Sequence, residues 1–145
     1  MIIVIQRVKK AEVSVGGRVV GRIGKGMLLL VGIEKDDEGR KIPPAAEKIA
    51  NLRIFDDEQG KMNRSLAESG GGILVVSQFT LAGSIEKGRR PSFDNAAPPE
   101  AAKSLYEKFI SDLRGLGFHV EEGAFQQVME VLLVNDGPVT FVYKT

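Results

Sequence analysis

The residues best suited to chemistry stand in three short groups. Ser77, Gln78, Phe79 and Thr80 follow directly on the aliphatic run Ile73 to Val76, so hydroxyls, a carboxamide and an aromatic ring sit where a strand runs out into a loop. Strand ends of this kind are a usual place for groups that meet a substrate, although such hydroxyls also serve purely structural ends. Lys87, Arg89 and Arg90 cluster in a long polar stretch, with Phe93 close behind. That composition suits phosphate contact beside a stacking ring, and it equally suits a solvated basic loop. Gly137-Pro138 is the sharpest feature, because an X-Pro bond is the ordinary place for a cis peptide; the bland alternative is a tight turn.

Other chemistries are excluded by what is missing. His119 is the sole histidine, set between Phe118 and Val120 in an expected strand, and there is no cysteine. Serine-histidine and cysteine-histidine machinery therefore has no partners to work with, and disulfides and zinc-thiolate sites fall away as well. Asp36, Asp37, Asp56 and Asp57 lie in charged turn sequence, where solvation is the expected state, and their spacing does not gather a metal. No glycine-rich loop followed by Gly-Lys-Ser or Gly-Lys-Thr is present to cradle a nucleotide triphosphate. Elimination leaves chemistry run by backbone groups and hydroxyls, with no metal and no cofactor expected.

The elements that must position these groups can be read from periodicity. A chain of 145 residues with 43% hydrophobic content suffices for one domain, taken as residues 1–145, with its own core. Its 20 basic and 19 acidic residues nearly cancel, so any contact with a nucleic acid has to be local. The opening MIIVIQRV is too short for a signal peptide and no stretch reaches membrane-spanning length, which points to a soluble, cytoplasmic protein without membrane contact. Ile2 to Val8, Glu12 to Val15 and Arg18 to Ile23 read as extended, the last two as a hairpin around Gly16 and Gly17. Met27 to Ile33 reads as a strand buried on both faces, followed by an exposed loop from Glu34 to Lys41. Pro43 and Pro44 suit the start of a helix that ends near Leu52. A short strand is expected at Arg53 to Phe55 and another at Ile73 to Val76. The stretch Leu81 to Pro99 has no periodicity and is expected to be a loop, of a length that is usually functional or mobile. Glu100 to Leu116 has Leu105, Tyr106, Phe109, Ile110, Leu113 and Leu116 at helical spacing. Three extended stretches close the chain: Phe118 to Glu121, Val128 to Val134 and Val139 to Tyr143, with Asn135 to Pro138 as a turn.

The strings SQFTL (Ser77 to Leu81), KGRRPSF (Lys87 to Phe93) and NDGPVT (Asn135 to Thr140) together resemble the signatures of the D-aminoacyl-tRNA deacylase family. The opening IQRV, the segment EKIANLRIF with its following GKMN, and AAPPE before the long helix resemble it too, so the likeness runs in order along nearly the whole chain. The fold this implies is a mixed α/β domain with a curved, barrel-like sheet and two main helices. The implied assembly is a homodimer with active sites at the subunit interface, acting on the acceptor end of aminoacyl-tRNA.

The same resemblance assigns roles residue by residue. Gly137-Pro138 would be a Gly-cis-Pro element that reaches into the partner's pocket and leaves no room for the side chain of an L-amino acid, so that D-amino acids and glycine are released and L-amino acids spared. Arg7 would brace that element through guanidinium hydrogen bonds, a role its planar fork suits. Backbone N–H groups around Phe79 and Thr80 would hold the developing oxyanion while the terminal ribose hydroxyl assists water. Ser77 and Gln78 would orient the amino acid and terminal adenosine, Met129 would line the pocket, and Lys87, Arg89 and Arg90 would meet RNA phosphates. Two departures touch this picture: Gln126, Gln127 and Val128 stand where the family has Gly-Ala-Asp, and Ala82, Gly83 and Ser84 replace an aromatic and an acidic residue. Two other functions fit the fold: a relative that clears a mischarged L-amino acid, and a non-catalytic RNA-binding domain.

Overall fold

Strand β1 (Ile2–Val15) is the spine of the computed structural model, which describes residues 1–86 and 88–145. Its branched side chains divide between two apolar clusters. Ile3 and Ile5 enter the core beneath the helices, whereas Val8, Ala11 and Val13 enter a second cluster on the other side of the sheet. On one edge, the first half of β1 pairs antiparallel with β3 (Gly26–Gly32) and the second half with β2 (Arg18–Ile23). The β1–β2 turn has both Gly16 and Gly17 at positive φ, the pattern a two-residue hairpin with the native strand twist demands. Along the other edge, β8 (Glu130–Lys144) runs antiparallel to β1 over nearly its full length.

The sheet continues from β3 to β6 (Gly72–Ser77) and then β7 (Val120–Glu122), both parallel pairings. It is therefore mixed, and it curls until it nearly closes. A Cβ on Gly21 of β2 would stand 2.6 Å from the Glu122 carbonyl of β7, so the two ends of the sheet meet where only glycine fits. Helices α1 (Ile42–Ala50) and α3 (Pro99–Gly115) cover one face, burying Ile42, Ile49, Tyr106, Phe109, Ile110 and Leu113. Strands β3 and β6 are consequently buried on both sides: Met27, Leu29, Ile73 and Val75 face the helices, while Leu28, Leu74 and Val76 fill the second cluster. A two-stranded ribbon, β4 (Phe55–Asp56) with β5 (Met62–Arg64), and the short helix α2 (Leu66–Ser69) complete the described chain.

Several sequence expectations are corrected here. The extended stretches Ile2 to Val8 and Glu12 to Val15 are one strand, because β8 pairs across the gap between them. Likewise Asn135 to Pro138 is not a chain reversal. Val8 pairs with Asn135 and Gln6 with Thr140, so Asp136, Gly137, Pro138 and Val139 all oppose Arg7 and bulge out of one continuous strand. Helix α2 and strand β5 were not foreseen; the signal for α2 is Ser65 with Glu68, a reciprocal capping box. Asp37 is not solvated: its buried carboxylate accepts from the Glu34 N–H at 2.7 Å and from Lys41 Nζ at 3.3 Å. Asp56 and Asp57 also have structural work, Asp56 on Arg7 and Asp57 in accepting the Gln59 and Lys61 N–H groups at the ribbon turn.

The closest approach in the sheet lies at the paired starts of β3 and β6. A Cβ on Gly26 would collide with the Gly72 carbonyl oxygen and lie 2.8 Å from both its carbon and its nitrogen. Gly26→Ala is expected to cost about 3 kcal/mol, since backbone rather than a flexible side chain must yield. Urea unfolding checks this: the midpoint should fall with an unchanged m-value.

Candidate active site

Where β6 ends, its last residue Ser77 still pairs with Val31 of β3, and the Gln78 N–H extends that ladder to the Val31 carbonyl at 2.8 Å. The chain then tightens into a 3-10 turn, Phe79–Ala82, closed by the Leu81 N–H on the Gln78 carbonyl at 3.1 Å. Gly32 makes this possible: a Cβ there would lie 2.8 Å from Leu81 Cβ and 2.9 Å from the Gln78 oxygen. The first N–H groups of such a turn have no partner behind them. Among the described residues those of Phe79 and Thr80 donate to nothing within the chain. Gln78 Nε2 donates to Thr80 Oγ1 at 2.5 Å. A carboxamide N–H is a donor and not a base, so this contact orients the Thr80 hydroxyl without activating it as a nucleophile.

Beside the turn opens a cavity of about 600 Å³, walled by Val31, Val76, Ser77, Gln78 and Phe79 on the sheet side. Tyr106 of α3 and the loop Phe125 to Met129 form the opposite wall. Gly123 leaves room for Met129, whose sulfur would lie 2.8 Å from a Cβ at that position. The Tyr106 hydroxyl donates to the Val75 carbonyl at 2.9 Å, and burial holds its phenol well above the ordinary range, so it stays a neutral donor. Phe125 packs on the Tyr106 ring with centroids 5.7 Å apart. Gln126 has φ +61, a left-handed backbone that costs a non-glycine residue about 1–2 kcal/mol. Val128 is 91% exposed at the cavity mouth. A second, polar recess of about 270 Å³ adjoins the first through Tyr106, Phe125 and Gln126.

The expected site residues thus fall into separate groups. Ser77, Gln78, Phe79 and Met129 line the cavity, and Thr80 stands next to them in the turn. Arg89 and Arg90 are exposed and form no ion pair among the described residues; Lys87 lies outside them. Phe93 packs against Phe79 with centroids 5.1 Å apart, resting where Gly83 leaves space, and so ties the basic loop to the site. Gly137 and Pro138 do not line this chain's cavity. Their position opposite Arg7 lies six residues along β1 from the partner of cavity-lining Val131, roughly 20 Å of extended strand.

The Gly137-Pro138 peptide bond is cis. Arg7, only 6% exposed, reaches beneath this bulge: Nε donates to the Asp136 carbonyl at 2.9 Å, and one terminal nitrogen donates to the Ile54 carbonyl at 2.7 Å and to Asp56 Oδ1 at 2.9 Å. His119 is exposed beside Glu121 and does not line the cavity. Among the described residues no group of three or more His, Cys, Asp or Glu is placed to hold a metal ion. Tyr106 reads from sequence only as helix core, which it also is, and Gln126 only as a departure from the family string; the structure places both on the cavity wall.

Comparison with known proteins identifies the family and the fold. The D-Tyr-tRNA(Tyr) deacylase family model matches residues 4–144. The D-aminoacyl-tRNA deacylase of Symbiobacterium thermophilum is 57% identical, with 96% of this chain and 92% of that protein covered. That of Thermodesulfovibrio yellowstonii is 52% identical, with 100% and 99% covered. Among solved structures, the c-Myc DNA unwinding element binding protein superposes with TM-score 0.93 at 39% identity, covering 100% of this chain and 99% of that one. A probable eukaryotic D-amino acid tRNA deacylase, at 19% identity and TM-score 0.85 over 98% and 97% of the chains, shares the fold.

Arg7→Met, which fills the space but strands two carbonyls and two carboxylates, is expected to destabilise by about 2–4 kcal/mol, the partial exposure of both carboxylates keeping the cost below that of a fully buried pair. Denaturant titration measures it, and a loss under 1 kcal/mol (about the worth of one ordinary hydrogen bond) would show the guanidinium to be dispensable.

Proposed function

Because the chain belongs to the D-Tyr-tRNA(Tyr) deacylase family, we propose that it is a hydrolase that cleaves the ester between a D-amino acid, or glycine, and the terminal ribose of tRNA. The observation that carries the chemistry is the turn after β6. The N–H groups of Phe79 and Thr80, unpartnered among the described residues, lie at the edge of a cavity sized for an amino acid and part of a nucleoside, and the one side-chain hydrogen bond of Thr80 among them comes from a carboxamide, not a base. Water attacks the ester carbonyl, the oxyanion is held by those N–H groups, and the C–O bond to the ribose breaks to give the free amino acid and uncharged tRNA. The ribose hydroxyl next to the ester assists the water, so the RNA supplies what the side chains lack.

Discrimination between mirror images needs a clash rather than an attraction, since both carry the same groups. In this reading the Gly137-Pro138 backbone supplies it from a second copy of the chain, blocking the position an L side chain needs. Its distance from the cavity of its own chain supports action in trans. So does the surface around it: β8 pairs with β1 alone among the described residues and exposes Leu132, Val134, Phe141 and Val142, the kind of apolar face a homodimer covers. Arg89 and Arg90, beside Phe93, are assigned to phosphates near the acceptor end, with Lys87 completing the string. No helix among the described residues is long and apolar enough to cross a membrane, and charged tRNA places the work in the cytoplasm.

Purified protein incubated with matched D- and L-aminoacyl-tRNA should release the D-amino acid alone. Release from the L substrate would support clearance of a mischarged L-amino acid instead, and binding without release an RNA-binding role. At residue level, a Cβ on Gly137 would strike the Asn135 carboxamide and lie 3.0 Å from the Val139 nitrogen, so Gly137→Ala should lower kcat/KM about tenfold or more. Thr80→Ala should keep kcat within about a factor of three, and its complete inactivation would refute hydrolysis assisted by the RNA.

A further inference from the structure

We propose that Gln126 is a substrate-binding residue whose carboxamide holds the terminal nucleoside of the substrate, an inference that rests on the deacylase reading and deepens it. Ala124 to Gln127 form a turn closed by the Gln127 N–H on the Ala124 carbonyl at 3.2 Å, with Gln126 at the position that takes positive φ. Glycine is the default there because a Cβ strains that backbone. A long polar side chain held at such a place has a use that offsets the strain, and strained residues gather at binding sites.

Three further observations say what the use is. Gln126 borders both the apolar cavity and the polar recess. The charged groups of the recess are already engaged, Lys103 with Glu107 at 3.7 Å and Glu122 with Arg114 at 3.2 Å. The Gln126 side chain makes no hydrogen bond among the described residues. A carboxamide offers a donor and an acceptor side by side, the complement of the amino and ring-nitrogen edge of adenine. Phe125, adjacent and packed on Tyr106, supplies an aromatic surface against which a base can lie. The amino acid is the poorer match, since its side chains share no polar edge, whereas every tRNA ends in the same adenosine. The polar reading of the substrate therefore falls on its constant part.

The test uses the full chain and two tRNAs charged with the same D-amino acid, one ending in adenosine and one in purine riboside, which lacks the amino group. Gln126→Gly relieves the backbone, so its melting temperature should equal or exceed that of the wild type. On the adenosine terminus its kcat/KM should fall about tenfold, carried by KM, while on purine riboside, which keeps only the ring-nitrogen acceptor, the fall should be about threefold or less. Unchanged kcat/KM on the adenosine terminus overturns the inference, as does an equal loss on both termini, with or without a lower melting temperature. Gln126→Asn, which tolerates the left-handed backbone but is too short to reach, should repeat the pattern. A wild-type protein that releases no D-amino acid overturns the deacylase reading itself, a result visible before any variant is made.

Discussion

A buried guanidinium sits where the central strand β1 changes partners, and much of the architecture turns on keeping it satisfied. On one edge β1 passes from β3 to β2 just beyond Arg7; on the other, four residues of β8 are accommodated against Arg7 alone. A sheet can carry such a break only if the freed backbone groups find other partners. Arg7 provides them, taking the Asp136 carbonyl from the bulge and the Ile54 carbonyl from the approach to the β4–β5 ribbon. Its charge is balanced by Asp56 and Asp136, both partly exposed. Such an arrangement contributes little net stability against its desolvation, yet it fixes one geometry for three segments far apart in sequence.

The cavity side of the molecule is built differently. Its strand end is held by a ladder bond from Gln78 to Val31, a missing side chain at Gly32 and the Tyr106 hydroxyl on Val75. What those contacts leave beside the cavity is main chain: N–H groups at the start of a 3-10 turn without acceptors among the described residues, next to a Thr80 hydroxyl held by Gln78. Backbone donors cannot titrate and are fixed by the fold, which suits stabilisation of a transient negative charge. Reliance on main chain at Phe79 and Thr80, and in the proposed role of Gly137-Pro138, leaves little for side-chain substitution to alter. Side-chain chemistry enters instead at the opposite wall, where Gln126 and the exposed Val128 stand.

Both the apolar strip on β8 and the remoteness of its bulge from the cavity follow from the same register. Val131 and Leu133 turn inward to the second cluster, which leaves Leu132 and Val134 facing out along a strand whose far edge has no partner among the described residues. An edge with that composition is a liability in isolation. The dimer proposed above removes it and brings the two halves of the site together in one step.

Local pattern alone determined the elements whose signals are short in range. Apolar spacing placed α3 within a residue of its observed ends, the continuous aliphatic run of β3 marked it as buried on both faces and that of β6 as a strand, and the ordered strings marked the end of β6 and the Gly-Pro step. Tertiary structure decided what depends on partners. The last two extended stretches became one strand because both halves pair with β1, Asp37 went inside because the Met1 ammonium, the Glu34 N–H and Lys41 meet it there, and the cavity arose only once α3 and the loop after β7 folded over the strand end. Gln126 shows the division most sharply. Its left-handed backbone lies in a residue type that does not announce it, because that conformation is imposed by the turn that closes around it and not by the side chain itself.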